Sequence, residues 1–205
     1  MNDISKIEVI LLDPSGNIFE SEIPLRYVSF MRTGNSELND LCDFINKTGC
    51  SISNIIEIGS YQGESTLIFQ KNFPNSKIFA VDFWINNYDQ RETNINSYNM
   101  IDIENNFNEL IKDYSNIIKI KMSSYDFSNI ISNNSIDFIY IDGDHTYDGF
   151  SKDLSYWKNK IKKGGFIAGH DYNDEQSETI VKAILEFFPN DKVNVFGDNW
   201  LIKLD

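Results

Sequence analysis

The chain has 205 residues, with 18 Lys and Arg against 31 Asp and Glu, a formal net charge of −13 at pH 7, and 41% hydrophobic and 24% charged residues. That length suits one globular domain with a core of ordinary size. The acidic balance excludes a polyanionic partner unless the charges are strongly segregated, because nucleic-acid binders need a basic footprint. No apolar run reaches the roughly 18 residues of a membrane span, and the first residues carry acids where a secretory leader carries bases. Two cysteines, Cys42 and Cys50, with no CxxC, do not make a disulfide framework and read as small apolar residues in a reducing compartment. A cytoplasmic protein with neither a nucleic-acid nor a membrane partner is expected.

Hydrophobic period predicts strands over 6–12 and 18–23, separated by the turn cluster 13–17, so the chain opens with a hairpin. Leu38, Leu41, Cys42 and Ile45 follow at helical spacing, with Ser36 as the cap and Gly49 as the stop. Residues 1–53 read as a hairpin-and-helix extension, its hairpin either a dimer contact or an addition to the main sheet, ahead of a core over 54–205. The core alternates. Strands are predicted over 55–59, 77–82, 117–122, 136–141 and 166–169, and helices over 64–72, from about 102 to 114, from about 150 to 161, and from about 180 to 188. Strands over 192–196 and 199–203, around Gly197 and Asp198, close the chain as a second hairpin. Strands apolar on both faces, alternating with helices, give an α/β fold: a parallel sheet covered on both sides, with one antiparallel edge. In such sheets ligands sit beyond the carboxyl ends of the strands, where the strand order reverses.

The predicted strand ends carry the chemistry. The first runs as Glu57-Ile58-Gly59-Ser60-Tyr61-Gln62-Gly63-Glu64-Ser65 into a helix, and two glycines in a strand-to-helix turn let backbone N–H groups approach a ligand closely. The spacing is Gly-x-x-x-Gly, not the Gly-x-Gly-x-x-Gly of a dinucleotide site, so a dehydrogenase is disfavoured. The second strand ends in Asp82-Phe83-Trp84, and an acid roughly 20 residues beyond the first glycine is placed to grip ribose hydroxyls. The later strands end in Asp142-Gly143-Asp144-His145 and Gly169-His170-Asp171-Tyr172. Both histidines of the chain therefore stand beside three aspartates at one sheet edge. Such a cluster is either a hydrogen-bonded cap or a site whose mutual repulsion a divalent cation offsets.

Taken in order, IIEIGSYQGES, AVDFW, FIYIDGDHTYDGFSKDL and GGFIAGHDY resemble a class I S-adenosylmethionine-dependent methyltransferase. The likeness is to the subgroup with an IDGDHSYEG-type fourth strand and a GGxIxGHDY-type fifth, which is related to cation-dependent O-methyltransferases. The resemblance implies a Rossmann-like, seven-stranded, mostly parallel sheet. It also implies that Gly59, Ser60, Tyr61, Gly63 and Ser65 wrap the methionine moiety, that Glu57 steadies that loop, and that Asp82 and Phe83 hold the ribose. Ser123, Ser124 and Tyr125 would meet the adenine, and Asp142 would lie by the donor sulfonium. Asp142, His170 and Asp171 match the metal positions of the cation-dependent enzymes. Imidazole at His170 departs from the all-oxygen set that Mg prefers and suits Mn or a later transition metal better. His145 is ranked as general base ahead of Asp144. Trp84, Tyr88 and Tyr172 are the expected acceptor contacts, Trp84 and Tyr88 within a lid over 83–101 that also holds Arg91 and Tyr98 and whose aromatic and amide side chains suit a sugar. The expected activity is methyl transfer to a hydroxyl of a sugar or other small metabolite, and related enzymes often form homo-oligomers. The alternatives are a metal-free methyltransferase of the same fold and a nucleoside-binding protein without turnover.

Overall fold

The computed structural model describes residues 6–12, 18–24, 35–85, 99–173 and 177–205. They fall into two compact units, residues 1–36 and residues 37–205. In the first, β1 (Lys6–Leu12) and β2 (Ile18–Pro24) pair antiparallel, Lys6 opposite Pro24 and Leu12 opposite Ile18. They form a two-stranded sheet of their own.

The second unit holds α1 (Asn35–Lys47), β3 (Asn54–Ile58), α2 (Glu64–Asn72), β4 (Lys77–Asp82), α3 (Met100–Ile111), β5 (Ile117–Lys121), α4 (Ser124–Ile130), β6 (Ile136–Ile141), α5 (Tyr147–Trp157), β7 (Ile161–Gly169), α6 (Ser177–Phe187), β8 (Val193–Phe196) and β9 (Asn199–Lys203). The seven strands β3 to β9 form one sheet in the order β5-β4-β3-β6-β7-β9-β8. The first five are parallel, and β9 is antiparallel to both β7 and β8. No helix among the described residues is long and apolar enough to cross a membrane.

Strand periodicity divides the core into two layers. On β6, buried throughout, Phe138 and Tyr140 join α1, α2 and α3 on one face, while Ile139 and Ile141 join α4, α5 and α6 on the other. Helical periodicity supplies the matching faces, such as Leu41 and Ile45 of α1, both fully buried. Each such side chain contributes roughly 1.5–3 kcal/mol by leaving water. Because β3 lies between β4 and β6, the chain reverses its direction of travel there, and the carboxyl ends of β3 and β6 are where sheets of this kind place their ligands.

Several elements and boundaries differ from those the sequence predicts. Helix α4 has no counterpart in the predicted elements, since seven residues are too few to display a period. Ile161, predicted as the end of a helix, is instead the first residue of β7, paired with Ile136; α5 stops at Trp157 and a short 3-10 turn, Lys158–Lys160, intervenes. Helix α1 starts at Asn35, one residue ahead of the expected cap Ser36.

Candidate active site

The turn after β3 is forced by close backbone approach. Gly59 has φ 87°, and a Cβ there would lie 1.9 Å from the carbonyl oxygen of Asp142, so only glycine lets the loop after β3 pass against the end of β6. Gly63, with φ 91°, leads into α2. Beneath this turn the fully buried Glu57 accepts hydrogen bonds from the hydroxyls of Ser60 (2.8 Å), Ser65 and Thr66. Burial pushes its carboxyl up to about 7, against the opposing pull of those three donors. The side chains of Ser60 and Ser65 are therefore committed to Glu57, while the backbone N–H groups of Gly59 and Ser60 donate to the Val81 carbonyl at 2.9 and 3.3 Å and that of Gly63 to the Ser60 carbonyl at 2.7 Å. Thr66, which carries no motif signal of its own in the sequence, completes the clamp from inside α2.

Asp82 ties the next loop to this one. Its Oδ2 accepts the Tyr61 N–H at 2.8 Å and its Oδ1 the Trp84 N–H at 2.8 Å; burial raises its pKa although these amides pull the other way. Trp84 corrects an expectation. It is 3% exposed, its indole packs on Phe107 with centroids 5.0 Å apart, and its Nε1–H donates to the Tyr61 carbonyl at 2.8 Å. Such an indole pins the two loops together and cannot reach out to an acceptor. Tyr61 and Trp84 both hold left-handed backbone, at φ 43° and 45°, a costly conformation retained where surrounding contacts enforce it. Phe83, by contrast, is exposed. Tyr88, Arg91 and Tyr98 lie outside the described residues.

The serines after β5 also turn inward. Ser123 caps α4, accepting the Asp126 N–H at 3.1 Å and donating to the Asp126 carboxylate at 2.6 Å. The Ser124 hydroxyl donates to Asp153 and accepts the Trp157 Nε1–H at 2.8 Å. Both hydroxyls are thus engaged within the protein, and the exposed side chain of this turn is Tyr125, whose ring packs beside Tyr156 at 5.1 Å.

At the carboxyl ends of β6 and β7, four side chains meet. His145 Nε2 lies 3.2 Å from Oδ1 of Asp142 and 3.0 Å from Oδ2 of Asp171, while His145 Nδ1 is buried. His170 Nδ1 lies 2.9 Å from Oδ1 of Asp171. Asp171 is 5% exposed and holds φ 63°, so both its oxygens are aimed by a strained, buried backbone. Burial alone lowers the pKa of His170, but the hydrogen bond to Asp171 and the fields of Asp142, Asp171 and Asp198 outweigh it and push the imidazole up to about 9. Asp144 stands apart from this centre. Its Oδ1 accepts the Thr146 N–H at 2.8 Å, and its carboxyl fills the space where a Gly149 side chain would be, so it serves the first turn of α5. Tyr172 is half-buried, its N–H donating to the Asp198 carbonyl at 2.9 Å. That contact, with Asn173 Nδ2 on the Gly197 carbonyl at 2.6 Å and Glu37 accepting the Asp198 N–H at 3.2 Å, clamps the β8–β9 turn beside the site.

A family model described as Methyltransferase domain matches residues 56–172, a span that runs from β3 through every side chain of this centre. The chain belongs to that methyltransferase family. This methyltransferase is also similar in fold to calicheamicin methyltransferase CalS11, with a TM-score of 0.62 at 12% identity over 89% of this chain and 86% of that one. It is similar to the O-methyltransferase NovP, with a TM-score of 0.61 at 10% identity over 83% and 78%. A further fold relative is the S-adenosylhomocysteine-bound Podospora anserina methyltransferase PaMTH1, with a TM-score of 0.58 at 13% identity over 89% of each chain. Among curated proteins, an uncharacterised protein of Acanthamoeba polyphaga mimivirus is 39% identical over 64 residues, 29% of this chain and 29% of that one.

In this methyltransferase the expected cation positions can be tested against the donor set. Asp142, His170 and Asp171 each offer one ligand atom, all within 4.8 Å of one another, a spacing that one ion could gather. Two carboxylates and an imidazole fit Mn or a later transition metal better than Mg, and ligation requires His170 to shed the proton its neighbours favour.

Proposed function

We propose that this protein transfers the methyl group of S-adenosylmethionine to a hydroxyl of a small polyhydroxylated acceptor, a sugar or sugar nucleotide, at the centre formed by Asp142, His145, His170 and Asp171. One observation carries the reading: the glycine turn after β3, the fold's expected cofactor loop, packs directly on the Asp142 backbone, so a donor cradled there lies beside the Asp/His cluster. The fold relative CalS11 is a TDP-rhamnose 3′-O-methyltransferase, which supports a sugar acceptor. PaMTH1 carries bound S-adenosylhomocysteine, which supports the cofactor.

The residues divide the work. The close-packed turn from Gly59 to Gly63 receives the methionine end, and Asp82 takes the ribose hydroxyls on lone pairs that its backbone-amide bonds leave available. A divalent cation at Asp142, His170 and Asp171 would lower the pKa of the acceptor hydroxyl. His145, in the tautomer that leaves the Nε2 lone pair facing the centre, receives the hydroxyl proton there and as imidazolium donates from Nε2 to the carboxylates of Asp142 and Asp171, 3.2 and 3.0 Å away; the commitment of Asp144 to α5 supports His145 over it. The acceptor oxygen then attacks the methyl carbon in line as the carbon–sulfur bond breaks, so alignment supplies much of the acceleration. A second reading follows from the same contacts. With its Nε2 proton shared by two carboxylates, His145 itself offsets their charge, and the site works without a metal.

The test is a thermal-shift and methyl-transfer series with S-adenosylmethionine, S-adenosylhomocysteine and NAD, each with Mg, Mn or a chelator, on wild type and Asp82→Ala. Saturation at 100 Kd adds about 2.7 kcal/mol to the native state. A shift with both sulfur cofactors that Asp82→Ala abolishes, and transfer to a hexose nucleotide that the chelator stops, is expected. Transfer that survives the chelator selects the second reading, and a shift with NAD alone overturns both.

A further inference from the structure

Asp153 is a carboxyl group that the proposed chemistry does not use. It sits in the middle of α5, 6% exposed, and burial, aided by nearby Asp144 and opposed by the Ser124 hydrogen bond, pushes its pKa up to about 7. An interior acid is costly unless its position is worth keeping. Its Oδ1 accepts the Ser124 hydroxyl, which in turn accepts Trp157 Nε1–H, so that the hydroxyl's orientation is fixed from two sides. Its Oδ2 lies beneath the next loop: a Cβ built on Gly143 would stand 3.6 Å from it, in ordinary contact. A single buried carboxyl thus bonds the loop after β5, where the adenine half of the cofactor is expected to lie, and sits against the loop after β6, which carries Asp142 and His145, with room for no more than a methyl group between its Oδ2 and Gly143.

We infer that Asp153 is a positioning residue that sets the spacing between these two loops, and through it the alignment of the nucleoside and the methyl-bearing half of S-adenosylmethionine. The inference rests on the proposed cofactor reading. Neighbouring strands fix the ends of β5 and β6, but in the sheet these strands are separated by β4 and β3 and share no ladder. The loops that follow them need a tie outside the sheet, and Ser124–Asp153 spans α4 and α5 to provide one. Asp at this place suits the task because its short stem leaves little rotamer freedom, with Oδ1 on the Ser124 hydroxyl and Oδ2 on the side of Gly143.

The experiment is calorimetric titration of S-adenosylhomocysteine and of adenosine into wild type, Asp153→Ala, Asp153→Asn, Ser124→Ala and the Ser124→Ala/Asp153→Ala double variant, with urea unfolding of each. Asn keeps the acceptor for Ser124 and almost the same shape. The expected result is a tenfold or greater loss of affinity for both ligands in Asp153→Ala and in Ser124→Ala. The double variant should be no worse than either single one, and Asp153→Asn should lie within threefold of wild type. Where an acceptor is in hand, kcat should fall further in Asp153→Ala than the cofactor KM rises. Affinities within twofold of wild type in a folded Asp153→Ala overturn the inference, as does a loss in Asp153→Asn equal to that in Ala, or losses that add in the double variant. If Asp153→Ala does not fold, Ser124→Ala and Asp153→Asn decide by the same criteria. Wild type that binds neither ligand overturns the cofactor reading itself, an outcome distinct from all of these.

Discussion

Replacing Glu57 by Gln should flatten the pH dependence of stability. The folded carboxyl titrates at about 7 against an ordinary 4.5, so the native state holds a proton that the unfolded chain releases. A raised folded value means the contribution is fully present below pH 4.5 and is lost as pH rises through 7. With each pKa unit worth about 1.4 kcal/mol, the loss is about 1 kcal/mol at pH 5 and about 3 kcal/mol at pH 8, a difference of roughly 2 kcal/mol. Gln is neutral throughout, and its amide can donate to one of the three hydroxyls once that hydroxyl rotates. Urea unfolding at pH 5, 6, 7 and 8 should therefore show Gln near wild type at pH 5 and ahead of it by roughly 2 kcal/mol at pH 8. Wild type should still lose stability across this range faster than a chain with ordinary pKa values, since Asp153 and His170 are raised as well, to about 7 and about 9, and act in the same direction. Parallel curves for wild type and Glu57→Gln would refute the assignment of a buried, neutral-range carboxyl to this clamp.

Gly59→Ala should abolish binding of S-adenosylhomocysteine in calorimetry, because its Cβ meets the Asp142 backbone at 1.9 Å. Gly49→Ala, at φ 73° with nothing within 4 Å, should cost only the left-handed strain of about 1–2 kcal/mol. Trp84→Ala should lower stability in urea by roughly 3–5 kcal/mol and raise the cofactor KM more than the acceptor KM; the reverse order would return Trp84 to an acceptor role. His145→Ala should reduce kcat by about 10²–10⁴ with cofactor affinity retained, while Asp144→Ala should mainly lower Tm through the loss of its bond to the N–H of Thr146, the residue that caps α5.

Much of this fold is legible in the chain because both faces of its central strands are buried. Continuous apolar runs such as residues 138–141 and three-to-four spacings such as Ile103, Phe107 and Leu110 each reflect one physical requirement. Elements that obey two requirements are harder to read. Ile161 ends an apolar helical series by spacing, yet strand pairing with Ile136 captures it. The site is legible at the level of which residues gather at the strand ends, because topology alone brings those ends together. Which way each side chain faces is not, since that depends on partners distant in number. Trp84 turns inward to a carbonyl 23 residues earlier, and Ser124 to a carboxyl 29 residues later. A polar residue beside a glycine turn reads the same whether it meets a ligand or a neighbouring helix.

Strand β9 follows the other strands of the sheet in the chain but sits between β7 and β8. During synthesis β8 leaves the ribosome before the strand that will bind it to the sheet, and the outer edge of β7, the strand that delivers His170 and Asp171, stays open until then. The Gly197–Asp198 turn reaches its clamp beside Tyr172 only when β9 adds on. The sheet edge beside the Asp/His cluster is therefore finished by the last of its described strands to be made, and a nascent chain that stalls before Asn199 exposes an apolar strand edge next to that cluster.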